Sequence, residues 1–180
     1  GKGLEEGGQT MGLSDTNGWW NSIAAKDMDG DGDEDLVVGN LGLNYKYKAS
    51  KDEPFQVFCS DFDDNGSLDI VLGYFNEGVC FPVRGRQCSS EQMPMIKQKF
   101  ASYEGFGEAN LVDIYGEKPL KEALNLKAYQ FASVYLENQG MDGFRLTELP
   151  LEAQIAPVQG IVCSDFDGDG KEDVLLAGNW

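Results

Sequence analysis

Acidic residues recur in this chain at one fixed spacing. "DMDGDGDED" begins at Asp27, "DFDDNGSLD" at Asp61 and "DFDGDGKED" at Asp165. Each copy reads Asp-x-Asp-x-(Asp/Asn)-Gly-x-x-Asp, with side-chain oxygens at positions 1, 3, 5 and 9 and glycine at position 6. Such a cluster has three chemical readings: an acid–base site, a metal cage, or a solvated charged turn. Carboxylates packed together without a cation repel and shift one another's pKa values. Three copies of one spacing also weigh against accident. Alternating oxygens around a tight glycine bend are what a calcium loop requires, because the ion takes six to eight oxygens at about 2.3–2.6 Å.

The ligand sets follow from the spacing. The first site takes Asp27, Asp29, Asp31 and Asp35; the second takes Asp61, Asp63, Asn65 and Asp69; the third takes Asp165, Asp167, Asp169 and Asp173. The backbone carbonyl at position 7, from Asp33, Ser67 or Lys171, is expected to add a ligand to each. An EF-hand is excluded, because its position 12 must be a bidentate Glu and here it is Val38, Leu72 or Leu176. Calcium is preferred to magnesium, which favours few carboxylates and retained waters. Asn65 makes the second site one charge poorer and the weakest of the three. Up to three Ca2+ ions are expected, and they would reduce the bare charge from −17 to −11.

The rest of the composition narrows the chemistry. Fourteen basic against 31 acidic residues give −17, with no histidine. Such a surface repels nucleic acid and anionic lipid. The absence of histidine removes the commonest general base, the usual zinc ligand and any Ser-His or Cys-His pair. The four cysteines, at 59, 80, 88 and 163, form no C-x-x-C. No apolar run approaches the ~20 residues of a membrane span. "GKGLEEGGQT" is not a signal peptide, and an initial Gly rather than Met leaves room for a removed signal or lipid anchor.

The elements that must position the acids are strands. Each turn lies between two apolar runs, such as "IVCS" and "DVLLAG", and 23 glycines suit a turn-rich β fold. Asp27 and Asp61 are 34 residues apart, whereas Asp61 and Asp165 are separated by 104. The longer gap holds a helical insertion over residues 89–126 and one extra strand pair. "SSEQ" reads as a capping box with Ser89 as N-cap and Gln92 at N3, and Pro94 opens "PMIKQKF". "ANLVDIYG" and "EKPLKEAL" read as two more short helices. "AYQFASVYLE" and "FRLTELP", joined by "NQGMDG", read as a hairpin.

The acidic turns and their flanking strands resemble the FG-GAP/VCBS repeats of integrin α-subunit-type β-propellers, most closely in "DFDGDGKEDVLLAGN" and "DMDGDGDEDLVVGN". "GWWNSIAAKDMDGDGDEDLVVGNLGLN" and "FASVYLENQGMDGFRLTELPLEAQIAPVQGIVCSDFDGDGKED" are similar to bacterial VCBS-repeat proteins related to the ASPIC/UnbV group. The resemblance implies propeller-type blades whose loops bind calcium. It also implies an extracellular, periplasmic or cell-surface location. It covers most of the chain and implies no reaction. A closed propeller needs four or more blades of about 40–50 residues. Residues 1–180 are therefore expected to form a single all-β repeat domain: a partial or open propeller of about three repeats, with edges available for self-association.

Other residues invite sharper and blander readings. Cys59 and Cys163 occupy the same repeat position and are expected to be small buried thiols. Cys80 and Cys88 bracket "FPVRGRQ", where a short disulfide loop and two free thiols are both open readings. Of Trp19 and Trp20, one is expected in the core and one partly exposed, with sugar stacking the lesser reading. Arg84 and Arg86 are expected to pair with neighbours rather than hold an acidic sugar. Phe62 and Phe166, at loop position 2, are expected to pack under their loops. Two functional classes follow. One is a non-enzymatic, calcium-stabilised module that presents surfaces to a protein or glycan, or serves as a structural segment of a larger surface protein. The alternative is a calcium-dependent enzyme of the polysaccharide-lyase type, against which saturated cages and the lack of a Lys/Arg/Tyr cluster both argue.

Overall fold

A computed structural model describes residues 7–179. The chain runs through β1 (Ser22–Lys26), β2 (Asp35–Gly39), β3 (Phe55–Ser60), β4 (Asp69–Asn76) and β5 (Val79–Pro82). Five short helices follow: α1 (Arg86–Gln92), α2 (Met95–Lys99), α3 (Tyr103–Gly107), α4 (Leu111–Tyr115) and α5 (Glu117–Glu122). Then come β6 (Leu124–Ala128), β7 (Val134–Asn138), β8 (Phe144–Glu148), β9 (Val158–Ser164) and β10 (Asp173–Gly178). The protein is mostly β, and all pairings between these strands are antiparallel. No sheet closes on itself among the described residues.

The chain divides into two compact units, one of Gly1–Lys46 with Gln130–Trp180 and the other of Tyr47–Tyr129. The first holds a four-stranded sheet in the order β1-β2-β7-β8 and a separate pair, β10-β9. One face of the larger sheet is apolar, built from alternate residues of its strands. Val38, Val134 and Leu136 are buried on it with Ala132, and Leu13, Leu36, Phe144 and Leu146 pack against them. A buried polar staple fixes the chain where it leaves this sheet. The Asn40 N–H donates to Ser133 Oγ at 3.0 Å, and the Ser133 N–H donates to Gln154 Oε1 at 2.9 Å. Gln154 Nε2 in turn donates to the Ser133 and Leu149 carbonyls. All three side chains are buried, so each donor or acceptor must find a partner inside. Gly39 is required here by close approach: a Cβ would lie 2.6 Å from the Val158 carbonyl oxygen.

The second unit is a sheet in the order β5-β4-β3-β6 with the helices on one face. Phe58, Phe62 and Val71 from the sheet side meet Met93, Ile96, Phe106, Leu111, Ile114, Tyr115 and Leu120 in one core. Each fully buried apolar side chain of this size contributes about 1.5–3 kcal/mol. Gly73 lets α4 sit close, since a Cβ there would lie 2.6 Å from Leu111 Cδ1. The helices are too short to persist on propensity and depend on this packing and on their caps. Asn110 and Asp113 form a reciprocal capping box on α4, and Ser102 Oγ accepts from the Gly105 N–H on α3.

Several sequence expectations shift. The helical stretch begins at Arg86 and ends at Glu122, and residues 124–128 are a strand rather than the end of the insertion. Ser89 is not an N-cap. It lies inside α1, buried, with its hydroxyl donating to the Arg84 carbonyl, while Gly85 holds the cap position. "AYQFASVYLE" is not one strand: β6 ends at Ala128 and pairs with β3, whereas β7 begins at Val134 and pairs with β2. The extra strand pair is β7-β8, and it completes the sheet begun by β1-β2. Among the described residues, no helix is long and apolar enough to cross a membrane.

Candidate metal centres

Each acidic turn connects the two strands of an antiparallel hairpin: β1 to β2, β3 to β4, and β9 to β10. The pairings Lys26↔Asp35, Ser60↔Asp69 and Ser164↔Asp173 put position 9 at the first rung of every hairpin. The ladder therefore delivers the last carboxylate back to the first.

The three loops share one hydrogen-bond scaffold. The position-1 carboxylate accepts from backbone N–H groups further along its turn. Asp27 takes Gly30 at 2.8 Å and Gly32 at 3.1 Å; Asp61 takes Asn65 at 3.0 Å and Gly66 at 2.7 Å; Asp165 takes Gly168 at 2.7 Å and Gly170 at 3.0 Å. The position-5 oxygen accepts from the position-7 N–H, at 3.0 Å for Asp31, 2.8 Å for Asn65 and 2.8 Å for Asp169. The position-9 carboxylate accepts from the position-2 N–H: Asp35 from Met28, Asp69 from Phe62, Asp173 from Phe166. Positions 4 and 6 have positive φ throughout. Five of these six residues are glycine, and the sixth is Asp64, at φ 57. The left-handed backbone aims the N–H groups inward, and it is costly for any residue bearing a Cβ.

Three carboxylates converge in every loop, each offering an oxygen within 4.8 Å of the others. They are Asp27, Asp29 and Asp31; Asp61, Asp63 and Asp69; and Asp165, Asp167 and Asp173. These groups can hold a metal ion. Asp35 and Asp169, expected as ligands, stand outside these triads. Asp35 is otherwise engaged. Its Oδ1 accepts from the Asn138 N–H at 2.8 Å, and its Oδ2 accepts from the Tyr135 hydroxyl at 2.6 Å as well as from Met28. Asp69 has a comparable outside partner in Gln92 Nε2, at 3.0 Å. Both aspartates are almost fully buried, at 1% and 3% exposure.

The electrostatics record the crowding. Burial, then the charges of Asp31, Asp35, Asp29 and Asp27, raise the Asp33 carboxyl above the ordinary range. The Asp29 carboxyl is also raised: the Asp31 N–H pulls it down, but desolvation and the charges of Asp31, Asp35 and Asp27 outweigh that bond. Asp33 Oδ1 and Asp63 Oδ1 are buried without a hydrogen-bond partner. An orphaned carboxylate oxygen beside other carboxylates suits a cation, so the residues present fit a metal ion. Sequence reasoning gave Asp33 only a carbonyl role and missed its side chain. It also missed Tyr135 and Gln92, which lie 100 and 23 residues from the aspartates they hold.

The remaining candidate residues find other roles. Arg84 donates to Gln92, and Arg86 donates to the Phe100 and Ala101 carbonyls while lying 4.9 Å over the Tyr103 ring. Phe62 is a core anchor, with its ring 5.3 Å from that of Tyr115. Phe166 is not, being 56% exposed. Trp19 and Trp20 are both partly exposed, so neither is a core residue. Cys59 and Cys163 are half-buried strand thiols rather than fully buried ones. Cys80 and Cys88 are free: Cys80 packs into the helical core, whereas Cys88 is exposed on α1. No family model matches the chain, and neither the curated proteins nor the solved structures include a match.

Proposed function

We propose that the three hairpin turns are calcium cages and that the chain is a calcium-stabilised, non-enzymatic recognition module of the FG-GAP/VCBS kind. Its place is outside the cell or on its surface, where it presents its sheets and helices to a protein or glycan partner. The observation that carries this reading is the closely similar scaffold in three loops far apart in sequence. In every loop, turn amides fix the first, fifth and ninth side chains, and three carboxylates meet. A span of 4.8 Å suits oxygens on one ion with bonds of about 2.3–2.6 Å. In this reading the ion neutralises the crowding that raises Asp29 and Asp33. It also ties the two strands of each hairpin together, so the acids serve stability and the binding surface lies elsewhere.

The test is thermal unfolding in EDTA and in 5 mM calcium. Extracellular-type sites with Kd of ~0.1–1 mM give about 1–2 kcal/mol per site at that concentration. Magnesium at the same concentration is expected to give much less. A midpoint that is the same in EDTA and calcium refutes the proposal.

A further inference from the structure

The three acidic turns differ in what holds the position-9 carboxylate from outside the loop. Asp35 is held by Tyr135 and Asn138 and stands outside its triad. Asp173 lies in its triad, and among the described residues its carboxylate accepts only from the Phe166 N–H of its own turn. Asp69 combines the two conditions. It lies in the triad with Asp61 and Asp63, and its Oδ1 accepts from Gln92 Nε2 at 3.0 Å. Gln92 is the last residue of α1, and the next residue, Met93, is buried in the helical core. Gln92 Oε1 in turn accepts from Arg84 Nη1 at 2.8 Å. A guanidinium only donates and a carboxylate only accepts, so the amide can face one way alone, oxygen to Arg84 and nitrogen to Asp69. Arg84 is itself tied to the helix, because its carbonyl accepts from the hydroxyl of buried Ser89.

We propose, resting on the reading of the turns as calcium cages, that Gln92 is a positioning residue for the second cage and that this cage and α1 hold each other in place. The neutral spacer selects the role. Arg84 bound directly to Asp69 would orient the carboxylate but offset its charge and compete with a cation. An amide between them passes on the orientation and leaves the charge, and the guanidinium polarises the amide so that its bond to Asp69 strengthens. Asp69 thus stands buried at the cage with one oxygen pinned by Gln92 and the other by the Phe62 N–H. Partners of this kind behind a metal ligand change affinity by about 10–100-fold. Linkage is reciprocal, so filling the second cage favours docked α1 by the same factor. Among the described residues, no helix side chain bonds to Asp35 or Asp173, so the first and third cages lack this coupling.

Amide NMR on the full chain during a calcium titration tests this. The N–H groups of Gly32, Gly66 and Gly170 each bond to the position-1 carboxylate of one loop, so their shifts report the three cages separately. Gln92→Met keeps the side-chain length and loses both polar contacts. It is expected to raise the Gly66 midpoint about tenfold while the Gly32 and Gly170 midpoints stay. Gln98→Met, at an exposed glutamine of α2, is expected to move none of them. Gln92→Arg is expected to keep α1 docked and yet abolish the Gly66 response, which a merely structural Gln92 would not give. The wild type provides a reading independent of whether variants fold: amide exchange in α1 slows as Gly66 saturates, and that in α5 does not. The proposal is overturned, with the calcium reading left standing, by an unchanged Gly66 midpoint in Gln92→Met or a Gly66 response retained in Gln92→Arg. Saturation of Gly66 without slower exchange in α1 overturns it too. If none of the three glycines responds to calcium, both readings fall.

Discussion

Removing the Tyr135 hydroxyl isolates the strut that holds the first acidic hairpin to its sheet. In Tyr135→Phe the residue keeps its place in β7 between its cross-strand partners Val37 and Thr147, so the change is confined to one donor. Asp35, at 1% exposure, keeps its bonds from Met28 and Asn138 and loses the shortest of the three, at 2.6 Å. Hydrogen bonds to charged acceptors contribute about 1.5–3 kcal/mol, and with two donors left the lower half of that range applies. For a unit of fewer than about 100 residues, such a loss lowers the midpoint by roughly 6–15 °C. Urea unfolding with amide exchange in β2 and β7 reads the loss locally. The phenol provides a second readout. Desolvation first, then the bond to Asp35 and nearby negative charge, raise the Tyr135 pKa well above its ordinary 10.0. Burial raises Tyr115 as well, so Tyr135 and Tyr115 are both expected to ionise late in the wild type, and the variant is expected to lose one late-ionising phenol. Because the folded pKa is the higher one, this stabilisation is fully present below about pH 10 and is lost as pH rises beyond it. A loss below about 0.5 kcal/mol, with an unchanged tyrosine titration, would refute the assignment.

Other outcomes follow from single positions. Asp64→Gly replaces the one non-glycine residue in the left-handed turn positions, so it is expected to stabilise the second unit by about 0.5–1 kcal/mol in urea unfolding. A destabilised variant would show that the Asp64 side chain has a role of its own. Burial pushes the Cys80 thiol up to about 11, so at pH 8 roughly one part in a thousand is thiolate. Alkylation followed by mass mapping is expected to label exposed Cys88 well before Cys80, and a Cys80–Cys88 disulfide in the oxidised protein would contradict the structure.

The turns were legible in the sequence because their chemistry is local. Oxygens at alternate positions, a glycine and a closing Asp lie within nine residues, and the flanking strands follow from alternation. The helices at 111–115 and 117–122 fall inside the two stretches, "ANLVDIYG" and "EKPLKEAL", that read as helical in the sequence. What the sequence hid depends on distant partners. Phe62 and Phe166 hold the same loop position, yet only Phe62 is buried, because Tyr115 and the helices cover its side of the sheet. The break between β6 and β7 falls inside an unbroken strand-like texture, and only the different partners, β3 and β2, separate them. Asp35 looked like a ligand equivalent to Asp69 and Asp173. The Tyr135 hydroxyl and Asn138 N–H that set it apart belong to a strand pairing invisible to spacing.

The pairing of β2 with β7 also imposes an order of events. Leu36 lies opposite Leu136, so this contact must wait until the chain has been made well past the whole Tyr47–Tyr129 unit. That unit is built from shorter-range contacts and can collapse first, shortening the effective loop that β2 and β7 must close. During that interval β2 exposes an unpaired, apolar edge. The first acidic turn, with its dense negative charge, then doubles as a kinetic guard, discouraging nascent chains from pairing through that edge before β7 emerges.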